Sequence, residues 1–358
     1  AKEYNAELCK RGADALGQAL ALTESTNRYE LADFSEYNDI FLLHNSSGKL
    51  NGVKESIFME NIKDYSGRWR WNMVNDFRPQ SIEYSGIKCY PTANYVNYYG
   101  MQNGYPINDM TKADAESGYD PTHPWKNRDP RFYKTIMFDG VKWKSTGGAG
   151  GTAELFTGGR ESEEANEKKG CFTAYMNSKL CPQLMNTVDG YKENNIMILS
   201  LMRLADVYLM YAEATAVGYN GPKGKAATYS LTAEEALNKI RERAGVAPVL
   251  DKFLGSTADF LSELRRERAV ELSFEGFRFI DLRRWMLLTQ YPYTLKTKIE
   301  FDRADPSDYN YDEPEENAIK NLREVVLLER KYTDRHYWYP LPKKDVSMYE
   351  GFYQNPGW

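Results

Sequence analysis

The chain has 358 residues, with 46 Lys or Arg against 51 Asp or Glu and a formal net charge of −5. This balance supplies no basic field for nucleic acids or anionic lipids, so no nucleic-acid partner is expected. Aromatic residues make up 14% of the chain, and such an excess indicates a heavy core, an aromatic binding surface or both.

The sequence predicts no membrane-spanning helix, because it contains no run of about 18 uncharged apolar residues. It opens without the features of a signal peptide, and its first residues already have a helical pattern. We therefore expect that an N-terminal part of a longer protein is missing. The length allows one large domain or two to three ordinary ones.

The first predicted element is a helix over residues 1–22. Its apolar face would carry Leu8, Ala15, Ala19 and Leu22, which recur at roughly helical spacing.

A short strand is predicted over residues 54–61, where apolar and polar side chains alternate. Residues 65–99 then lose all periodicity while aromatic and Arg side chains accumulate. A long irregular stretch rich in bulky side chains is more often functional than accidental.

The middle of the chain is predicted to be loop-rich. Residues 127–131 (NRDPR) resemble a turn held by side-chain hydrogen bonds, and residues 132–138 alternate like a strand. Residues 147–159 are glycine-rich but lack the Gly-Lys-Ser/Thr ending of a phosphate-binding loop. We expect an exposed loop there.

The C-terminal half is predicted to be helical. Residues 196–217 have one apolar helical side, and a Gly- and Pro-containing break follows at residues 218–224. Thr232 and Glu235 have the spacing of a capping box, and Gly245 would close the helix that they open. Two helices joined in this way resemble one hairpin of a tetratricopeptide repeat.

A further helix is predicted from about residue 258 to residue 274, continuing past Gly276 to Trp285. Ten charged side chains fall between residues 265 and 284. Opposite charges three and four residues apart can pair along an exposed helix. Because acidic residues offset the basic ones, the structural interpretation is favoured over a nucleic-acid surface.

No metal or other cofactor is expected. The four cysteines, Cys9, Cys89, Cys171 and Cys181, form no Cys-x-x-Cys pair. Cys171 and Cys181 could form a disulfide, although free thiols are favoured. The aspartates between residues 302 and 312 could hold calcium, but the glycine and closing glutamate of an EF-hand loop are lacking. A solvated acidic loop is favoured there.

Several segments together resemble the SusD/RagB family of surface nutrient-binding lipoproteins of Gram-negative bacteria. They are NRDPR at 127–131, LMRLADVYLMYAEA at 201–214, LNKIRERAG at 237–245, ERAVELSFEGFR at 267–278 with DLRRW at 281–285, and YPLP at 339–342 with the closing QNPGW at 354–358. The segments follow the family's order and extend from the middle of the chain to its last residue.

The resemblance implies a mainly α fold, with a tetratricopeptide-like helical scaffold, an irregular loop-rich subdomain and a few short strands. We divide the chain accordingly into the end of a helical-repeat scaffold (1–50), an irregular ligand-binding subdomain (51–195), and the helical C-terminal scaffold with a docked tail (196–358). The charged helix would form the scaffold's internal ion-pair network.

The resemblance also implies a non-catalytic protein that captures oligosaccharides for a SusC-like TonB-dependent transporter. It would be a surface-exposed lipoprotein of the outer membrane, held by a lipid anchor upstream of this chain. No lipid-anchoring cysteine is visible in the sequence, and part of the family's ligand site would come from the missing region.

The predicted ligand site lies in the irregular stretch between the short strand and Pro91-Thr92. Sugar rings need flat apolar faces flanked by hydrogen-bonding groups, and this stretch combines both. The candidate residues are Tyr65, Arg68, Trp69, Trp71, Phe77 and Tyr84. The alternative for each ring is a place in the core or in a subunit interface.

Two other functions stay open. The same scaffold could capture peptides, as in RagB-like members, although a pair of tryptophans argues mildly against it. A glycoside hydrolase would need two carboxylates held apart in a formed cleft. We find no such constellation in the sequence, and the acidic pair Glu163-Glu164 falls in a charged loop.

Overall fold

The computed structural model describes residues 3–43, 52–60, 89–145, 151–165, 170–180, 189 and 196–358. Within these ranges the helices are α1 (Ala6–Thr26), α2 (Ala93–Val96), α3 (Pro130–Thr135), α4 (Leu204–Gly218), α5 (Ala233–Ala244), α6 (Thr257–Glu271), α7 (Phe277–Arg284) and α8 (Lys343–Met348). The strands are β1 (Leu42–Leu43), β2 (Ser56–Glu60), β3 (Ile136–Met137), β4 (Met176–Asn177), β5 (Ile196–Met197), β6 (Leu199–Arg203), β7 (Leu295–Arg303) and β8 (Ile319–Glu329).

Local sequence determines several helix ends, as predicted. Thr232 and Glu235 form the capping box of α5, and Gly245 ends this helix in the left-handed region with φ +72°. Gly276, with φ +87°, separates α6 from α7. No helix in the described ranges is long and apolar enough to cross a membrane.

A first helix is confirmed, but it begins at Ala6 with Asn5 as its N-cap and runs to Thr26, so the helical pattern predicted for the first residues is wrong at residues 3–5. Its predicted apolar face is also wrong. Leu8 and Leu22 are 58% and 64% exposed, and Ala15 and Ala19 are also exposed. The face that packs against α4 carries Ala13, Gly17 and Leu20 instead. Two of these residues, Ala13 and Gly17, are small, and they let the backbones of α1 and α4 approach closely.

Two segments adopt a different secondary structure from the one predicted. Residues 130–135 form helix α3, because Asp129 accepts a hydrogen bond from the Arg131 backbone and Pro130 occupies the first turn. The predicted helix over residues 196–217 begins only at Leu204. The residues before it form β5 and β6, since β6 pairs with β2 and that tertiary contact overrides the helical pattern.

The strands form antiparallel pairs: β1 with β5, β2 with β6, β3 with β4, and β7 with β8. The β7–β8 hairpin lies in the region predicted to be a helical scaffold. Its buried residues alternate along β7, at Thr297, Ile299, Phe301 and Arg303, which is the period of a half-buried strand.

The fold is mainly α, as predicted, and its described core has two large parts. A helical core gathers apolar side chains of α1, α4, α5 and α6. An aromatic core gathers Trp125, Phe132, Trp143 and Tyr175 with side chains of β7. Helix α6 serves both, because Leu264 belongs to the helical core and Val270 to the aromatic one.

Candidate functional site

The predicted ligand-binding residues all lie outside the described residues. These are Tyr65, Arg68, Trp69, Trp71, Phe77 and Tyr84, between residues 61 and 88. The structure therefore places the two chain segments that flank this stretch, and it leaves the assignment of the six side chains as a prediction.

The flank before the stretch is strand β2, which is fixed by pairing with β6 and by the contacts of the residue immediately before it. Its residues pair with β6, with Met59 opposite Ser200. Glu55, immediately before β2, is fully buried and accepts hydrogen bonds from Arg203 at 2.5 Å and from Arg243 at 3.0 Å. Two charge-assisted contacts thus fix the point from which the stretch departs.

The flank after the stretch is anchored by an aromatic contact. The Tyr90 ring lies 5.7 Å from the Phe172 ring, centroid to centroid, and burial raises the pKa of Tyr90 to about 12. Helix α2 follows, and the Tyr95 hydroxyl donates to the carbonyl of Ala269 in α6 at 2.6 Å. The segment after residue 88 is therefore joined to the central helix.

A buried ion-pair network lies between these flanks and the helices. Within the described residues it joins six cations to six carboxylates, of which Glu263, Glu267, Glu271 and Glu275 recur every fourth residue along α6 and its C-terminal turn. The cations are Arg131, Lys179, Arg203, Arg241, Arg243 and Arg266. The other two carboxylates are Asp129 and Glu55.

The pairing differs from the one predicted from residue spacing. In the described part of α6, one pair follows the helix, between Arg266 and Glu263, while the other partners come from distant segments. Glu271 is shared by Arg131, Arg203 and Arg243. Although burial raises the pKa of Glu271, these guanidinium groups hold it well below its ordinary value.

The turn NRDPR supplies three buried residues, Arg128, Asp129 and Arg131, to this interior. Arg128 donates to the backbone carbonyls of Val96, Tyr99 and Pro124 at 2.7–3.0 Å, which fixes the end of α2. Asp129 accepts from Arg131 at 2.7 and 3.0 Å, and Arg131 continues to Glu271 at 3.0 Å. The expected hydrogen-bonded turn is confirmed, with partners much farther along the chain than expected.

Lys179 is the lysine of the network, and sequence reasoning missed it. Its Nζ donates to Glu275 at 2.7 Å and to the Glu271 carbonyl at 2.9 Å, and it lies 4.7 Å from the Phe41 ring centroid. Burial lowers the pKa of Lys179 to about 8, against the opposing effect of Glu275. The signal was weak, because one lysine in an irregular segment carries no local pattern.

The acidic loop makes local hydrogen bonds. Asp305 accepts from the Ser307 backbone and hydroxyl at 3.0 and 2.6 Å, and Asp302 accepts from Asn321 at 2.8 Å. In the described ranges, no three His, Cys, Asp or Glu side chains are grouped so that they could hold a metal ion. Among the described residues, the buried Cys171 is a free thiol, whereas Cys181, its candidate disulfide partner, lies outside them.

An open cleft lies between α2, the loop at residues 106–108 and the β7–β8 hairpin. Its volume is about 470 Å³, within the range of small-molecule sites. Polar and aromatic side chains line it together, among them Asn94, Asn97, Tyr98, Asn108, Tyr291 and Glu324. None of these residues was predicted from the sequence to belong to a site.

Comparison with known proteins agrees with this architecture. A sequence model of the SusD family matches residues 54–358. The chain belongs to the SusD family. No curated protein matches it significantly.

Solved structures share the fold at low sequence identity. A SusD-like protein from Bacteroides fragilis is 22% identical, with a TM-score of 0.70, and the match covers 98% of this chain and 62% of that one. A SusD-like carbohydrate-binding protein from the same species is 20% identical, with a TM-score of 0.65, covering 95% of this chain and 60% of that one. A surface glycan-binding protein A from Bacteroides fluxus is 18% identical, with a TM-score of 0.51, covering 98% and 59%. This SusD-family chain thus spans about three fifths of these neighbours.

Proposed function

We propose that this chain belongs to a non-catalytic protein that captures oligosaccharides at the bacterial cell surface and passes them to a SusC-like TonB-dependent transporter. The observation that carries the proposal is its SusD-family sequence over residues 54–358. The protein would sit on the outer membrane through a lipid anchor upstream of Ala1.

The proposed glycan contacts are Trp69 and Trp71, supported by Tyr65, Arg68, Phe77 and Tyr84. Indole and phenol rings provide broad apolar faces for the C–H side of a pyranose, and Arg provides donors for its hydroxyls. The described segments before and after the stretch are held to the buried framework through Glu55 and Tyr90.

The test is binding of maltohexaose, cellohexaose, xylohexaose and mannohexaose, followed by calorimetry on the hexasaccharide that binds best. Replacing both tryptophans (Trp69→Ala with Trp71→Ala) should weaken binding about 10- to 100-fold, since two stacked rings are lost. The matched control is Trp338→Ala, because Trp338 is an exposed tryptophan outside the proposed site. The control should bind like the wild type.

Three results would contradict the proposal. Unchanged affinity in the folded double variant would remove the two tryptophans from the site. Release of new reducing ends from the bound hexasaccharide would identify a glycoside hydrolase. Binding of peptides with no binding of any hexasaccharide would favour the peptide-capturing alternative.

A further inference from the structure

Two tyrosine rings line the cleft beside α2: Tyr291 is strongly exposed, and Tyr98 is held in place by its neighbours. Tyr291 is 77% exposed at the mouth of the cleft. Tyr98 is partly buried, and the Arg278 guanidinium lies 4.7 Å from its ring centroid. Burial raises the pKa of Tyr98, so its phenol keeps its proton. The cleft therefore offers an accessible ring together with a ring whose position is fixed.

Some polar side chains of the lining already form hydrogen bonds with other groups of the protein. Asn94 donates to the Leu295 carbonyl at 2.9 Å, and its backbone N–H donates to Thr297 at 2.8 Å. These bonds hold α2 against β7. Arg266 directs its three guanidinium nitrogens to Glu263 and to the carbonyls of Tyr98 and Gly104. This arginine shapes the cleft wall, but its hydrogen bonds are already made.

The remaining polar lining has unused hydrogen-bonding capacity. The Oδ1 atom of Asn97 is buried and has no hydrogen-bond partner among the described residues, which is unfavourable unless a donor satisfies it. Asn108 is exposed, and no described residue bonds its side chain. Thr297 donates to Oε1 of Glu324 at 2.6 Å, which leaves the other carboxylate oxygen to accept from a ligand.

The charge of the lining selects the class of ligand. Among the described lining residues, Arg266 is the cation, and its charge is paired with Glu263, whereas the Glu324 carboxylate has a hydroxyl partner in Thr297. No unpaired cation of the described lining would offset Glu324 for a carboxylated or phosphorylated ligand, since Arg278 contacts Tyr98 but does not line the cleft. A neutral polyol could donate to Glu324 and exchange hydrogen bonds with the two asparagine amides.

We propose that this cleft is a second carbohydrate subsite that takes a neutral sugar unit, built from other residues than the predicted glycan contacts. The sugar would place its C–H face on Tyr291 and direct its hydroxyls toward Asn97, Asn108 and Glu324. This inference rests on the proposed capture of oligosaccharides and adds a location and a charge class to it.

The experiment isolates the cleft by removing the first site. In the Trp69→Ala, Trp71→Ala background, binding of the four neutral hexasaccharides is measured at millimolar concentration by saturation-transfer NMR and titration. We expect residual binding. Adding Tyr291→Ala or Asn108→Ala should weaken it about tenfold, because each change removes one exposed contact. The matched control, Tyr353→Ala, removes a tyrosine that is 83% exposed and does not line the cleft, and it should leave the residual binding unchanged.

The outcomes separate the two proposals. If the wild type binds a hexasaccharide but the background variant shows no residual binding, or if Tyr291→Ala and Asn108→Ala leave that binding unchanged, the cleft proposal is overturned and oligosaccharide capture stands. Equal weakening by Tyr353→Ala would also overturn the cleft. If the wild type binds none of the four, both proposals fail. Stronger residual binding of hexagalacturonic acid than of the neutral sugars would overturn the charge class.

Discussion

Lys179 illustrates how a buried charge makes stability depend on pH. Burial lowers its pKa in the folded protein to about 8, whereas an unfolded lysine keeps its proton up to about pH 10.4. Between these values the unfolded chain binds more protons than the folded one. By linkage, Lys179 therefore makes the free energy of unfolding increase as pH rises through this window, and its unfavourable contribution is complete below pH 8.

The prediction concerns the difference in unfolding free energy between the wild type and Lys179→Met, which cannot titrate. From pH 7.5 to pH 9.5 the wild type should gain up to about 2 kcal/mol relative to the variant. Urea unfolding at both pH values measures this difference. As a control, Lys343→Met removes an exposed lysine and should give a parallel pH profile. Parallel profiles for wild type and Lys179→Met would refute the prediction.

Helix α1 offers a matched pair of glycines that report on its packing. A Cβ atom at Gly17 would lie 2.6 Å from Thr228 Oγ1 and 2.9 Å from Tyr229 Cβ, whereas at Gly12 the nearest such atom is 4.0 Å away. Gly17→Ala should lower the free energy of unfolding by about 1–3 kcal/mol through overpacking. Gly12→Ala should raise it by about 0.5–1 kcal/mol, because alanine favours the helix.

Chemical unfolding of the two variants measures both effects. Since both glycines lie in the same helix, helix propensity alone would shift the two variants in the same direction. Stabilisation by Gly17→Ala would mean that the close approach of α1 to the segment around Thr228 is absent.

The starts and ends of secondary-structure elements were predictable where they depend on neighbouring residues. The capping box at Thr232 and the break at Gly276 depend on neighbouring residues, and both are confirmed. The Asp129-Pro130 pair is an equally local helix start, and the alternation along residues 297–303 is a strand signal. Neither signal entered the predictions made from the sequence.

Other features depend on partners far along the chain. The face that α1 buries is decided by α4, about 190 residues later, so no pattern within α1 could have identified Gly17 in advance. The network partners of Glu271 and the cleft beside α2 also depend on residues far apart in the chain, so they could not be predicted from local patterns. The predicted aromatic stretch was located by composition, and the structure describes its flanks.

At the scale of the whole molecule, α6 joins two cores that could otherwise unfold separately. Leu264 packs in the helical core, Val270 packs in the aromatic core, and the ion-pair network lies along the same helix. We therefore predict a single cooperative thermal transition despite the length of the chain. Far-ultraviolet dichroism follows the helices, and near-ultraviolet dichroism follows the aromatic core.

The two probes should give the same midpoint in the wild type. Leu264→Ala perturbs the helical core and Val270→Ala perturbs the aromatic core, yet each variant should lower both midpoints together, because each leaves a cavity beside the shared helix. Separate midpoints, or a shift seen by one probe alone, would mean that the cores unfold independently.

The six cations and six carboxylates of the described network cancel in formal charge. Because the network is neutral as a whole, it projects little electric field to the surface. Exposed side chains therefore set the charge of the surface, and substitutions among them can change that charge without altering the balance inside the network.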